Sequence, residues 1–416
     1  MKKNKLSICI MSVLFILLSL FTTSCIFKSN RPGNNTTNNI TNNIKNEITE
    51  EVIDYKNLSI EDIQTAVQTV AKRNEKAVIG ITCKEEVTTT AGKTVEKNNS
   101  IGSGVIYKRE KLTDGDHIIT NYKYYVMTNR HVVLGDDTSK DTKYNIYAYL
   151  ADADIEIKAT VVGYDSKVDI ALVTFEYNRY IDPVEIYDGE LEKGSFAIAI
   201  GNPDGYDYYG SVTFGVISGP IRYISVDTDN DSINDFSSEY IQHDVAINPG
   251  NSGGGLFDIY GRLIGINTLK IVSEKIDNMG FAIPISVVKT IVCEYLETGK
   301  EIVRPRLGVY GSEIRSMSSY VIENDDDILD MPNIYESETP YGIYVNSITA
   351  GSTLDGFGIE KHDIILSVAG IKATRTHIIN AKLGSLVDFH VGDKVEISYY
   401  DRSDDKIKTI EAVLKS

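Results

Sequence analysis

A serine hydroxyl attacks a carbonyl well only when a base takes its proton and an anion orients that base. Ser252 stands in Ile247-Asn248-Pro249-Gly250-Asn251-Ser252-Gly253-Gly254-Gly255-Leu256, a glycine-crowded turn with an apolar residue on its far side. Glycines let the backbone bend sharply and let a substrate come close. Within Gly250-Asn251-Ser252, the backbone N–H groups of Gly250 and Ser252 can converge on one spot beside the hydroxyl. That spot would hold the oxyanion of a tetrahedral intermediate. A base and a carboxylate lie upstream, in the order His, Asp, Ser. His131 follows the β-rich run Tyr124-Tyr125-Val126-Met127-Thr128, and Asp169 sits in Lys167-Val168-Asp169-Ile170-Ala171-Leu172-Val173. A carboxylate entering an apolar strand is costly unless its charge is used, and a histidine N–H is one such use. Each residue alone also has a plain reading: an incidental serine in a turn, a satisfied strand-end histidine, a strand-start aspartate. Together they outline a base–nucleophile pair with its orienting anion.

These residues must be held by more than one core, because 416 residues exceed what a single core accommodates. The formal net charge of −17 argues against nucleic acid as a partner, since a polyanion would be repelled. Lys2, Lys3 and Lys5 precede an apolar run from Leu6 to Phe21, the pattern of an export segment. Asn30 to Asn46 is rich in Asn and Thr and buries too little to fold, so it reads as a tether. Ser59 and Asp62 match a capping box, followed by Ile63, Ala66, Val67 and Val70 at helical spacing; this helix is expected to dock on the first barrel. From Ala77 to about Ala282, short apolar or alternating runs separated by turn residues predict many short strands, in barrels or sandwiches. Ser286 is expected to open a further helix that ends at Gly299, which marks a domain boundary. Cys83 and Cys293 read as small buried apolar residues, with a bond between them as the alternative in an exported chain.

The Ser252 turn, with His131 and Asp169 in chymotrypsin order, resembles the trypsin-like serine proteases, and most closely the HtrA/Deg family. Ile101-Gly102-Ser103-Gly104, Ala199-Ile200-Gly201-Asn202-Pro203, Gly215-Val216-Ile217-Ser218-Gly219 and Gly280-Phe281-Ala282-Ile283-Pro284 extend the resemblance over roughly Ala77 to Gly299. It implies a mainly β fold: a chymotrypsin-like double β-barrel protease domain followed by an α/β PDZ domain. The expected domains are an anchor at 1–25, a linker at 26–57, the protease at 58–300 and the PDZ domain at 301–416. The resemblance also implies His131, Asp169 and Ser252 as the triad and Gly250, Asn251 and Ser252 as the oxyanion turn. Gly255 departs from it, since proline or alanine usually follows Ser-Gly-Gly there. That glycine is expected to be tolerated.

Further expectations follow from the same resemblance. The specificity pocket falls on Ala246 as floor, with Ile247, Thr268 and Leu269 as walls. With no acidic residue at the floor, cleavage is expected after small or medium aliphatic residues, or Thr. Arg306-Leu307-Gly308-Val309 resembles the carboxylate-binding loop of PDZ domains, which captures C-terminal peptides. Gly358-Ile359-Glu360-Lys361-His362-Asp363 fits too, although His362 replaces the more usual glycine. Thr22-Thr23-Ser24-Cys25 looks like a bacterial lipoprotein processing site and makes Cys25 the candidate lipidation site; an uncleaved membrane anchor is the alternative. Asp227, Asp229, Asp231 and Asp235 alternate as in a calcium loop. Ser232 and Ser238 spoil that pattern, so no metal is expected and the segment reads as an acidic loop beside the site. The expected protein is an envelope-anchored, cofactor-free endopeptidase on the extracytoplasmic face of a bacterial membrane. Its expected partners are misfolded proteins, peptide C-termini and two sister subunits in a homotrimer. The alternative is a non-catalytic surface peptide-binding protein that retains the protease fold.

Overall fold

A computed structural model describes residues 59–90, 92–134, 144–203, 208–228, 233–268, 279–314 and 342–416. Cys25, Leu269, the acidic run 323–330 and two of the alternating aspartates, Asp229 and Asp231, lie outside these residues. Helix α1 (Ile60–Asn74) starts at the N-cap Ser59, whose hydroxyl accepts from the Asp62 amide while the Asp62 carboxylate reaches back to the cap. Its docking differs from the expectation. Arg73 reaches the Tyr260 carbonyl, and Asn74 donates to the Gly261 carbonyl at 3.0 Å. Both carbonyls belong to a turn of the second barrel, so the helix end is fixed there before the chain enters the first.

The first barrel is closed in the order β1 (Val78–Thr88), β2 (Thr94–Thr113), β3 (Ile119–Asn129), β6 (Ile170–Tyr177), β5 (Ile155–Asp165), β4 (Tyr144–Leu150). Strand β5 alternates in exposure residue by residue, whereas β6 is buried on both faces from Ile170 to Phe175. The second barrel closes as β7 (Phe196–Gly201), β8 (Ser211–Val226), β9 (Phe236–His243), β12 (Gly280–Pro284), β11 (Leu263–Thr268), β10 (Gly255–Phe257). Closure removes every sheet edge, the constraint that all-β chains must meet. A short helix α2 (Arg130–Leu134) follows β3 directly.

After β12 the chain forms α3 (Ile285–Lys289), which continues through Leu296 in wider i→i+5 turns. Ser286 lies inside this helix. Its N-cap is Pro284, with no side-chain cap bond, because the strand runs straight into the helix. Gly299 ends the segment at φ +66°, as its position predicts. Beyond it stands a separate sheet, β13 (Val309–Ile314), β14 (Gly342–Ile348), β15 (Ile364–Val368), β17 (Lys394–Asp401), β18 (Lys406–Val413), with β16 (Ile371–Lys372) beside β15 and helix α4 (Thr376–Ser385). Its core holds Leu307, Ile343, Val345, Leu354, Ile365 and Ile397. Cys83 is buried and Cys293 half-buried, and both are free thiols.

Candidate active site

Strand pairing brings the base and its carboxylate together. β3 pairs β6 with Asn129 opposite Ile170, so His131, just past one strand, meets Asp169, just before the other. Asp169 adopts φ +64°, a left-handed conformation that aspartate tolerates better than most residues. Its buried carboxylate grips the histidine twice: Oδ2 lies 2.7 Å from His131 Nδ1, and Oδ1 accepts the His131 backbone N–H at 3.0 Å. Asn129 Nδ2 and the Arg130 amide donate to the Asp169 carbonyl, and the Thr268 hydroxyl reaches Oδ2 at 3.4 Å. With Nδ1–H donated to the carboxylate, the imidazole offers Nε2 as its basic nitrogen. Thr268, expected as a pocket wall, thus serves the carboxylate with its side chain.

Ser252 sits between β9 and β10 of the second barrel and is 4 % exposed. Asn248-Pro249-Gly250-Asn251 is a type II turn, with proline at its second position and glycine at its third, where φ is +98°. The Asn251 amide donates to the Asn248 carbonyl at 3.0 Å and closes this turn. Asn251 therefore shapes the turn and does not offer its N–H to an oxyanion, a correction to the expected set. Gly250 and Ser252 carry the other two N–H groups of that set.

The nucleophile turn is pinned to the first barrel through a residue that motif reading passed over. Ser103 on β2 accepts at its carbonyl from the Thr128 hydroxyl at 2.6 Å; its amide donates to the Ser252 carbonyl at 2.8 Å; its hydroxyl donates to the Gly250 carbonyl at 2.7 Å. The Asn202 amide of the second barrel donates to the same hydroxyl at 2.9 Å. Gly253 lies so close that a Cβ there would stand 2.1 Å from the Ser103 carbonyl oxygen and 2.3 Å from Thr128 Oγ1. Thr128 is three residues before His131, so these contacts fix the serine turn against the histidine segment. The signal was available: Ser103 and Asn202 both lie in segments that carried the resemblance. Gly255 has its own reason. A Cβ there would meet the Phe257 ring at 2.4 Å, so the ring occupies the space that proline or alanine would need.

Of the pocket candidates, Ala246 is exposed, and its carbonyl accepts from the Thr213 hydroxyl. Ile247 is half-buried against the interior of the second barrel. In the C-terminal sheet, Arg306 is exposed, Leu307 is buried in the core and Val309 is half-buried. Gly308 has φ +74°, and a Cβ there would stand 2.0 Å from Ser352 Cβ, so only glycine fits this loop.

Two closed antiparallel barrels with an imidazole–carboxylate pair on one and a serine turn on the other define a trypsin-like peptidase domain, and residues 102–266 match the trypsin-like peptidase domain family. The chain is 33 % identical over 308 residues to the serine protease Do-like HtrA of Lactococcus lactis subsp. cremoris (strain MG1363), covering 73 % of this chain and 68 % of that protein. It belongs to the HtrA/Do-like serine protease family. It is also 33 % identical over 313 residues to the Do-like HtrA of Bacillus subtilis (strain 168), covering 74 % of this chain and 63 % of that protein. The solved structure of the HtrA-type protease AlgW with a decapeptide shares the fold, with a TM-score of 0.58 at 24 % identity, over 84 % of this chain and 99 % of that one. A likeness over that share of 416 residues must extend past the barrels into the C-terminal sheet.

Proposed function

We propose that this chain is a serine endopeptidase acting on misfolded or damaged exported proteins. The observation that carries it is the double grip of Asp169 on His131 beside the Ser252 turn. In this reading Ser252 attacks the scissile carbonyl, His131 takes its proton and returns it to the leaving amine, and Asp169 fixes the tautomer and stabilises the imidazolium. The N–H groups of Gly250 and Ser252 hold the oxyanion. The chemistry requires neither ATP nor a metal. Ser252→Ala should fold and lose cleavage of an unfolded protein such as casein; digestion at the wild-type rate would sink the assignment. Ala246, Ile247, Thr268 and Leu269 form the specificity pocket. The lack of an acid at 246 turns away Lys and Arg in favour of uncharged small or medium residues such as Val, Ala, Ile or Thr.

The proposed domain plan is an anchor at 1–25, a linker at 26–57, the protease at 58–300 and a PDZ domain at 301–416. Cys25 carries the lipid that holds a homotrimer on the outer face of a bacterial plasma membrane. Labelled palmitate entering wild type and not Cys25→Ser is the check. β13 is an edge strand of its sheet, directly after Arg306-Leu307-Gly308-Val309, so a peptide C-terminus can add a strand there while the loop binds its carboxylate. Bound peptide is proposed to favour the cleavage-competent state through α4. This helix meets β9 through Lys382 and Glu239, 2.8 Å apart, and Gly384 lies against Phe236 of that strand. An apolar C-terminal peptide should activate cleavage of a separate reporter, and Gly308→Asp should abolish the response.

A further inference from the structure

The first barrel is closed, yet one of its strands runs on past the closure. β2 pairs β1 from Thr94 to Val105 and β3 only from Val105 to Thr113, so from Thr94 to Gly104 its second edge has no strand beside it. That edge begins at the nucleophile. Ser103 turns its amide to the Ser252 carbonyl and its own carbonyl to the Thr128 hydroxyl, both away from β1. In an antiparallel ladder, opposite residues point their backbone groups either toward each other or away. Ser103 stands opposite Gly80, so the outward set continues at the partners of Thr82, Lys84, Glu86 and Thr88, which are Ile101, Asn98, Glu96 and Thr94. Asn99 is the extra residue of the bulge opposite Cys83 and Lys84, and it shifts the phase there. Thr94 to Asn99 are exposed and Ile101 is half-buried. No hydrogen bond from the described residues reaches the outward N–H and C=O groups of Ile101, Asn98, Glu96 and Thr94.

A strand edge with open donors and acceptors is a template for another strand. This one starts where the Ser252 turn is held, and its place says what would pair with it. The proposed pocket positions Ala246, Ile247 and Thr268 lie in the second barrel, so the substrate chain before the cut is held there and the chain after it leaves over the first. β2 runs from Thr94 toward Ser103, so a substrate running from the nucleophile toward Thr94 lies antiparallel to it. We infer that this edge binds the segment after the cut as an added strand and selects long, unfolded polypeptides cut well inside their ends. This rests on the endopeptidase reading above. β1 covers the same length with the nine residues from Gly80 to Thr88, so a smooth substrate strand needs about nine residues to span it. A folded domain has already spent its backbone groups on its own helices and sheets and cannot supply such a strand.

Substrate length isolates the effect. Two quenched peptides, identical up to the cut but with two or nine residues after it, are assayed with the full-length protein. The longer should exceed the shorter by about tenfold or more in kcat/KM, because several net hydrogen bonds form along the edge. Methylating alternate amide nitrogens of the nine-residue segment in one phase should abolish this gain, and methylating the intervening ones should leave it. Glu96→Pro, which removes an outward N–H and no donor of the β1 ladder, should lower the ratio of long to short, with folding followed by circular dichroism. The wild-type peptide series stands by itself if that variant fails to fold. Cleavage that disappears in Ser252→Ala but shows a smaller gain with length, or a gain that both methylation phases abolish or neither does, overturns the edge and leaves the endopeptidase intact. Absence of any cleavage, of peptides and casein alike, or cleavage that survives Ser252→Ala, overturns the endopeptidase and the edge together.

Discussion

Between about pH 6.5 and pH 4, acid should weaken this protein through the buried His243 in particular. An unfolded histidine titrates near 6.5, while burial in the second barrel holds this one at about 4. Above about pH 6.5 the residue is neutral in both states and contributes no pH dependence. As pH falls below that value the unfolded chain gains a proton that the folded chain refuses, and stability drops by about 1.4 kcal/mol per pH unit. The loss stops growing once the folded imidazole also protonates near about 4. The window thus spans about 2.5 pH units and costs about 3 kcal/mol in all, a large share of the ~5–15 kcal/mol that holds a typical protein together. The assay is urea unfolding between about pH 7 and pH 4, in a Ser252→Ala background that removes self-digestion, with and without His243→Gln. Glutamine keeps a buried hydrogen-bonding group but cannot titrate. Other titrating groups are common to both proteins and drop out of the difference. The His243 protein should lose about 3 kcal/mol more than its glutamine counterpart across the window. Parallel stability curves would refute the claim that this imidazole is buried and neutral.

Three further outcomes follow from the site. Asp169→Asn should fold normally yet lower kcat by roughly three to four orders of magnitude, because an amide can present N–H to the ring and favour the wrong tautomer; casein cleavage within tenfold of wild type would contradict the role given to Oδ2. Gly253→Ala should cost about 3 kcal/mol or more in unfolding free energy, since its Cβ would strike the Ser103 carbonyl. Gly194→Ala, at a similar φ of +89° but with nothing within 4 Å, should cost only about 1–2 kcal/mol. Arg304→Ala should loosen the C-terminal sheet from the barrels, read as faster tryptic cutting near Lys300, because Arg304 bonds both Asp165 and the Gly384 carbonyl.

The residues proposed as the triad were legible because their chemistry is local: a serine among glycines, a histidine after a β-rich run and an aspartate at the mouth of an apolar strand. The alternating and apolar runs likewise gave the strands, since burial on one face or two writes a period into the sequence. What escaped depends on partners distant in the chain. Nothing near Ser59 tells which barrel receives α1; Tyr260 and Gly261 decide it. Asn251 looks like a member of the oxyanion turn until its amide is seen closing that turn on Asn248. That the Thr268 hydroxyl also reaches the Asp169 carboxylate is visible only once β11 lies beside the aspartate. His362, where a glycine is usual, does adopt the glycine-like φ of +85° and lies against the Tyr344 hydroxyl, so an aromatic neighbour accompanies a conformation the histidine does not favour. His243 gave no signal, because a strand-end histidine becomes unusual only when its ring is fully enclosed.

The turn from Asp165 to Asp169 touches the second barrel, the segment entering the C-terminal sheet and His131. At one end Asp165 accepts from Arg304, which also holds the Gly384 carbonyl of α4. At its middle Lys167 reaches Thr228 and Asp235 of the β8–β9 hairpin, and Asp235, despite partial burial, is held at about 2 by that lysine and threonine. At the other end Asp169 carries the carboxylate that orients His131. A displacement of about 1 Å in such a group is enough to cost roughly a hundredfold in rate. Three residues therefore separate the carboxylate bonded to Arg304 from the carboxylate that sets the imidazole. Of the alternating aspartates, Asp235 is paired with Lys167, whose own amide donates to Asp165 Oδ1 in the same turn.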